Sequence, residues 1–436
     1  MTAPIIKAKY VIIGNSAGGI GAAEAIREVD TNGSIIIASN EPYPAYSRPL
    51  ISEYLAGKRT LDTMLFRPAD FYQKNRIDVF LGSRVARIDS GRHTAELADG
   101  KKIAWEKLLL ATGGAPIVPA IPGSDKKRIF TFTTLDDARA IEQCRTGRVV
   151  VVGGGLIGVS VTEALVRRGG KVVIVEMKER ILNTILDETA SVLVTERLKQ
   201  AGVSVITGHT VAQVTSYSTD GVTGVTLEDD TPIPCHVVLL AIGVKPRVEL
   251  AADAGIKVNR GIVVDRYMAT SCPDVYACGD AAEAYDFVYG DCRAIPVWPG
   301  AYLGGRTAGL NMAGIPTEYP GITAMNSLKY FGLSILSAGV VAPPDDSYEV
   351  LSQRQGNTYR KIVLKDGVVV GMLFTGNVEK AGIVFNLMKS RVNVSDFKER
   401  LVAADFGLAS LPEAIWRPLL EMPQSAAHAE PVALKD

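Results

Sequence analysis

Two stretches of this chain, 139 residues apart from Gly14 to Gly153, repeat one local design: a β-branched strand, a glycine-rich turn and a small-residue helix. The first runs from Tyr10–Ile13 through Gly14-Asn15-Ser16-Ala17-Gly18-Gly19 into an Ala-rich helical pattern to about Val29, then a strand at Ile35–Ala38. The second runs from Arg148–Val152 through Gly153-Gly154-Gly155-Leu156-Ile157-Gly158 into a helical pattern to about Arg168, then a strand at Lys171–Val175. Each is a β–turn–α–β unit whose turn opens a helix, the setting in which a dinucleotide pyrophosphate is bound. The separation is too long for a solenoid repeat and suits two nucleotide domains of an α/β chain.

In Gly153-x-Gly155-x-x-Gly158 all three glycines of the fingerprint are present. The first allows the tight turn, the second lets backbone approach a pyrophosphate, and the third permits close helix–strand packing. Unpaired N–H groups at the helix start, around Leu156 and Ile157, then face the phosphates with the positive end of the helix dipole behind them. Glu176 ends the following strand, where a carboxylate accepts hydrogen bonds from ribose hydroxyls. It would repel a 2′-phosphate, which favours NADH over NADPH, although Lys178 and Arg180 soften the preference. The first turn, Gly14-x-Ser16-x-x-Gly19, carries serine at the middle position, which crowds a pyrophosphate unless the backbone shifts; Ala17 and Gly18 keep the helix start small. Glu41 lies where a second ribose-binding acid belongs.

Composition narrows the classes. Lys and Arg total 47 against 47 Asp and Glu, so the chain lacks the electrostatic footprint of a nucleic-acid binder. No apolar run reaches the roughly 20 residues of a membrane helix. The N-terminal residues lack the layout of a signal peptide, and five scattered cysteines form neither a disulfide framework nor a CxxC pair, so a reducing, cytoplasmic setting is expected. His93, His209, His236 and His428 show no ligand spacing, and no cysteine cluster could hold iron–sulfur, so no metal site is expected. Further strands are expected at Ile77–Leu81, Lys107–Ala111, Val237–Ile242, Ser334–Val341 and Lys361–Leu373. Helical patterns occupy 298–313, 377–389 and 395–402, and a frayed tail starts at Pro423.

The turn GNSAGG, the segment EPYPAYSRPLISEYL, the strand end LLLATGGAP, the turn GGGLIG and the segments AIGVKPRVELA and VYACGDAAE occur in that order. Together they make the chain resemble the FAD-dependent pyridine nucleotide–disulfide oxidoreductases over nearly its whole length. It looks most like the branch of NADH:rubredoxin reductases, NADH oxidases and nitrite reductase flavin domains. The resemblance implies an α/β fold of two Rossmann-like domains plus a C-terminal α+β interface domain. An FAD-binding domain (1–115 and 241–318) would be interrupted by an NAD-binding domain (116–240), with the interface domain at 319–422 and a tail at 423–436. It further implies that Gly14, Ser16, Ala17, Gly18 and Gly19 hold the FAD pyrophosphate and Glu41 the adenosine ribose. Arg48 would reach the phosphate side, Thr112 and Gly113 would close over it, and Gly279, Asp280 and Ala281 would meet the ribityl or phosphate region. NAD(H), as co-substrate, would lie on Gly153, Gly155, Leu156, Ile157, Gly158, Glu176 and Gly243. On the residues alone, Asp280 also reads as a helix N-cap before Ala-Ala-Glu-Ala, Arg48 as a surface residue, and Trp298 as core.

Three departures shape the expected chemistry. No cysteine precedes Cys144, where redox-active members carry theirs; the C-terminal half has no His–Glu pair; and Ser160 stands where the family usually has glutamate. Disulfide chemistry needs a nucleophilic thiolate with a poised base, and the residues offer neither. No side chain is assigned a catalytic role, since a flavin carries hydride transfer itself. The expected function is an FAD-dependent NAD(H):acceptor oxidoreductase. Its electron partner would be a small redox protein or an iron–sulfur subunit, as in the flavin subunit of a tungsten-containing aldehyde oxidoreductase. A homodimer and a hetero-oligomeric complex both remain open. The alternatives are a stand-alone NADH oxidase or peroxide or disulfide reductase, and a non-catalytic FAD-binding scaffold.

Overall fold

A computed structural model describes residues 5–144, 147–216 and 221–420; the expected tail from Pro423, with His428, lies outside them. The described chain divides into two compact units, one up to Leu333 and one from Ser334.

The first unit is organised by two sheets whose central strands are sealed on both faces, as runs such as Val11–Ile12 and Val149–Val151 require when helices cover a parallel sheet. In one sheet the parallel strands run Ile77–Phe80, Ile35–Ala38, Ile6–Ile13 and Lys102–Leu110. The far edge of Lys102–Leu110 is shared. Thr94–Leu97 pairs antiparallel with its first half, and Val275–Ala277 pairs parallel with its last three residues. The register sets Ile13 opposite Leu110 and Ala277 opposite Leu110, so three strands end at one level. The loops they release, 14–19, 111–113 and 278–281, therefore emerge side by side at the carboxyl edge, where open α/β sheets bind ligands. The second sheet is parallel throughout, in the order Ser204–Thr207, Lys171–Glu176, Arg148–Val152, Val237–Leu240 and Ile129–Phe130.

Helix Ala17–Val29 lies against helix Trp298–Met312 through small residues on both. A Cβ on Gly305 would overlap the backbone of Gly18, and one on Gly309 would come within 2.5 Å of the Ala22 carbonyl oxygen. This contact joins the first glycine turn to the chain that follows Asp280.

In the second unit an antiparallel sheet, ordered Leu333–Gly339, Val368–Thr375, Thr358–Lys365 and Glu349–Gln355, carries helix Ala381–Lys389. The single strand expected over Lys361–Leu373 is two strands of a hairpin. Asp366 and Gly367 turn the chain at φ 52° and 74°, both left-handed, as an Asp-Gly hairpin turn needs; the unbroken apolar run on either side hid it. The helix expected over 395–402 is a 3-10 turn, Lys398–Val402.

Replacing Gly305 with alanine forces a methyl into backbone and should destabilise the protein by about 1–3 kcal/mol in urea unfolding. Gly382, also helical, has open space within 4 Å of where a Cβ would stand, so Gly382→Ala should stabilise by about 0.4–1 kcal/mol in the same assay.

Candidate functional site

At the first carboxyl edge, Gly14 has φ 123°, and a Cβ there would strike the Ala111 carbonyl. Only glycine allows the two strand ends to touch here. Ser16 is the N-cap of the following helix, yet its hydroxyl caps none of that helix's N–H groups. The first-turn amides thus stay available to an anion. Glu41, Tyr46 and Arg48 form one cluster. Glu41 accepts from the Tyr46 hydroxyl at 2.6 Å on one oxygen and pairs with Arg48 on the other. Arg48 also donates to the Thr133 carbonyl at 3.0 Å, and Leu135 N–H donates to the Tyr46 hydroxyl at 3.0 Å. Two residues expected at different parts of one ligand are thus direct partners, and Tyr46 joins them unforeseen; only its place within the EPYPAYSRPL segment hinted at it.

Asp280 sits deep enough that burial pushes its carboxyl pKa up, with the charge of Arg48 pulling it back, yet it keeps partial solvent access. No side chain among the described residues hydrogen-bonds its carboxylate. Its own backbone N–H is the donor it has, so lone pairs remain with which the carboxylate can accept ligand hydroxyls. The N-cap alternative falls away, because a short turn Gly279–Ala281 leads into strand Ala282–Asp286 and no helix. Thr112 donates its hydroxyl to the Arg247 carbonyl at 2.8 Å, while the Gly113 carbonyl accepts from Arg247 N–H at 2.9 Å. These two bonds tie the loop after Leu110 to Arg247. The cleft with its amides, its free carboxylate and Arg48 fits a dinucleotide carrying a polyol.

The second turn separates its glycines cleanly. Cβ atoms on Gly153 and Gly158 would strike the Ala241 and Gly153 carbonyls, so the fold itself demands both. Gly155 is different: its φ is −79° and nothing lies within 4 Å of where a Cβ would stand. Neither strain nor packing calls for glycine there, which leaves open space over the turn where a pyrophosphate could approach the backbone. Glu176, 8% exposed, accepts from Gly154 N–H at 2.7 Å and from Lys178 N–H at 2.8 Å. Each oxygen keeps a lone pair, so the carboxylate braces the turn and can still accept from a ribose. Leu156 and Ile157 open the helix, half-buried. Gly243 follows the neighbouring strand Val237–Leu240 at φ 125°, and its carbonyl accepts from Ile117 N–H at 3.0 Å.

Three of the five cysteines are poor nucleophiles. Cys278 and Cys235 are buried, and burial pushes both thiols up to about 12. His236 is turned away from Cys235, its Nδ1 accepting from Arg148 N–H at 3.1 Å. Cys292 is exposed and its thiol is likewise raised. Trp298 is half-buried and meets Phe66 edge-on at 5.1 Å between centroids. Among the described residues no group of three His, Cys, Asp or Glu could hold a metal ion, and no helix is long and apolar enough to cross a membrane.

Two glycine turns at the carboxyl ends of parallel strands in two sheets, each followed by an acid, describe a protein of the kind that binds two dinucleotides. The chain belongs to the pyridine nucleotide-disulphide oxidoreductase family, which matches residues 8–304; the rubredoxin NAD+ reductase C-terminal domain matches residues 325–392. It is 31% identical to the NADH-dependent phenylglyoxylate dehydrogenase subunit epsilon of Aromatoleum evansii, over 91% of this chain and 94% of that one. It is 30% identical to the assimilatory nitrate reductase electron transfer subunit of Bacillus subtilis, over 91% of this chain but 51% of that protein, so it spans about half of that relative's length. The crystal structure of a ferredoxin reductase from Rhodopseudomonas palustris superposes with a TM-score of 0.83 at 25% identity, covering 92% of this chain and 99% of that one. The protein is an FAD-dependent NADH oxidoreductase.

Two variants test the two clefts. Gly155→Val should lower unfolding stability by only about 1 kcal/mol, the cost of a lost glycine N-cap, yet weaken NADH binding by about a hundredfold in calorimetry, since its side chain occupies ligand space. Asp280 binds its proton more tightly folded than unfolded, so without FAD it costs stability as pH rises above about 4. Asp280→Asn should therefore raise the melting temperature of the FAD-free protein at pH 7, with the gain vanishing below about pH 4. Its FAD affinity should fall by about tenfold or more for the lost charge-assisted hydrogen bonds.

Proposed function

We propose that the chain passes electrons between NADH and a protein acceptor, as the partner of a small redox carrier or as the flavin subunit of a larger assembly. In this reading residues 1–115 and 241–318 form the FAD-binding domain, 116–240 the NAD-binding domain and 319–422 the interface domain. Gly14, Ser16, Ala17, Gly18 and Gly19 take the FAD pyrophosphate on their backbone, Thr112 and Gly113 close over it, and Gly279, Asp280 and Ala281 meet the polyol. Bound FAD supplies the capacity to accept a hydride and release its two electrons singly.

The residues' work is to hold and orient. Asp280 accepts from polyol hydroxyls and exchanges water for them. Arg48, already paired with Glu41, balances the phosphates without leaving that acid bare, and Glu41 faces the adenosine ribose. On the other turn Gly155 gives the NADH pyrophosphate its space, with Gly153, Leu156, Ile157, Gly158 and Gly243 around it. Glu176 holds the turn and presents negative charge to the ribose, which disfavours a 2′-phosphate.

The observation that carries the reading is the state of the thiols. Cys278 is the cysteine in the loops at the FAD cleft, it is sealed behind Gly18, and its thiol is pushed up to about 12. With no cysteine earlier than Cys144, no thiolate is poised to take electrons from the flavin, so they pass to another molecule. The rubredoxin NAD+ reductase C-terminal domain and the likeness to a ferredoxin reductase support a small redox protein as that molecule. The phenylglyoxylate dehydrogenase subunit supports membership of a larger complex. Five free thiols suit a reducing compartment such as the cytoplasm.

An anaerobic NADH titration followed by visible absorbance tests this. The flavin bands should bleach at about one NADH per FAD with no thiolate charge-transfer band, because the hydride pair stops at the flavin. Consumption of two NADH, or appearance of that band, would place a redox-active cysteine beside the flavin and overturn it. Rapid reoxidation by air in preference to a ferredoxin or rubredoxin would favour a stand-alone oxidase. Failure to bleach would favour a scaffold.

A further inference from the structure

The chain that leaves strand Met325–Tyr330 makes two hydrogen bonds to the helix opened by the second glycine turn. The Tyr330 hydroxyl donates to the Leu156 carbonyl at 3.1 Å, and Phe331 N–H donates to Glu163 Oε2 at 3.1 Å. Tyr330 is 5% exposed, and burial, with the nearby charge of Glu163, pushes its phenol pKa up, so the hydroxyl keeps its proton. Glu163 is fixed in turn by Arg167 at 2.8 Å. Phe331 has φ 45°, a conformation that glycine or asparagine adopts with less strain, and Gly332 follows at φ 83°. A two-residue turn of this kind favours those small residues. The bond to Glu163 holds the strained position against the helix.

What Tyr330 grips matters more than how tightly it is packed. The Leu156 carbonyl and the Ile157 N–H belong to one rigid, planar peptide unit. Leu156 is the first residue of the helix, where backbone N–H groups lack intrahelical acceptors. A donor on the carbonyl side orients that plane and polarises its N–H. A long side chain at position 160 would lean back over the Leu156 turn. Ser160 is too short to fill that surface, and the phenol reaches it from outside the helix.

We propose that Tyr330 is a positioning residue for the nicotinamide coenzyme: through the Leu156–Ile157 peptide it aims an N–H at the coenzyme pyrophosphate. The inference rests on the reading of Gly153–Gly158 as the NADH turn. It makes the opening of the C-terminal segment part of the nucleotide site and gives Glu163 the task of holding the tyrosine in register.

The experiment compares Tyr330→Phe and Glu163→Gln with wild type in the FAD-loaded full chain. Calorimetric binding of NAD+ should weaken by about three- to tenfold in Tyr330→Phe, the range expected for one hydrogen bond, and by less in Glu163→Gln. With NADH and ferricyanide, KM should rise by a similar factor while kcat at saturation stays unchanged, and FAD content and melting temperature should match wild type. Tyr330→Phe retains the ring and leaves Leu156 its helical hydrogen bond, so folding should be preserved. Wild-type affinity for NAD+ in Tyr330→Phe would overturn the proposal. So would a parallel loss of FAD or thermal stability, which marks a merely structural contact. If Tyr330→Phe does not fold, unchanged NAD+ affinity in Glu163→Gln overturns it, and weakened affinity with full FAD content supports it. If wild type itself binds no NAD+ and Gly155→Val changes nothing, the NADH reading of the turn fails first, which is a distinguishable result.

Discussion

The backbone contact between Gly18 and Gly305 is the constraint from which the first cleft follows. Two helices far apart in sequence approach until a single methyl on Gly305 would overlap the other backbone. The approach draws the chain after Val275–Ala277 onto the glycine turn, while strand pairing at Leu108–Leu110 fixes its height. Cys278 fills the space next to Gly18. The residue is there as a small apolar filler, and its burial is what removes it from redox chemistry. Packing and chemistry are therefore one fact at this point: the contact that shapes the cleft also silences the thiol beside it.

Charge is distributed so that each cleft is braced before a ligand arrives. Glu41 is held by Arg48 and Tyr46, and Glu176 by two backbone N–H groups. A bare carboxylate in either place would be free to swing, and ordering it would cost binding energy. Asp280 is the exception, desolvated with the charge of Arg48 and its own backbone N–H to offset the burial. Burial outweighs both and pushes its carboxyl pKa up. Functional positions commonly show such locally unfavourable electrostatics.

Much of this was legible in the residues. Both β–turn–α–β units, their strand limits to within a residue apart from the start of the first strand, which begins at Ile6 and not Tyr10, and the steric need for Gly153 and Gly158 follow from short-range patterns. Those patterns act through steric rules that hold wherever the segment lies. The Asp366–Gly367 hairpin was missed because apolar residues run through both strands and mask a two-residue turn. Strands Val85–Asp89 and Glu349–Gln355 were missed for a different reason: exposed polar residues fill much of each, and their pairing is set by neighbours. The N-cap reading of Asp280 failed because a helix-favouring composition, Ala-Ala-Glu-Ala, was recruited into a strand by its antiparallel partner Asp291–Ala294.

The sequence alone determined that this chain carries two glycine turns of dinucleotide type, an acid beyond each, and no thiol where disulfide chemistry would need one. Those are local facts of residue type and spacing. Only the tertiary structure decided which distant segments meet. It set Glu41 against Arg48, Gly279–Ala281 beside Gly14, and Tyr330 on the Leu156 carbonyl. It also distinguished Gly155, which the fold does not require, from its neighbours, which it does. The physical reason is range: steric and hydrogen-bonding preferences act over a few residues and are written in order along the chain. Strand register and helix contact act between segments hundreds of residues apart, and only the packed structure chooses among the pairings that composition permits.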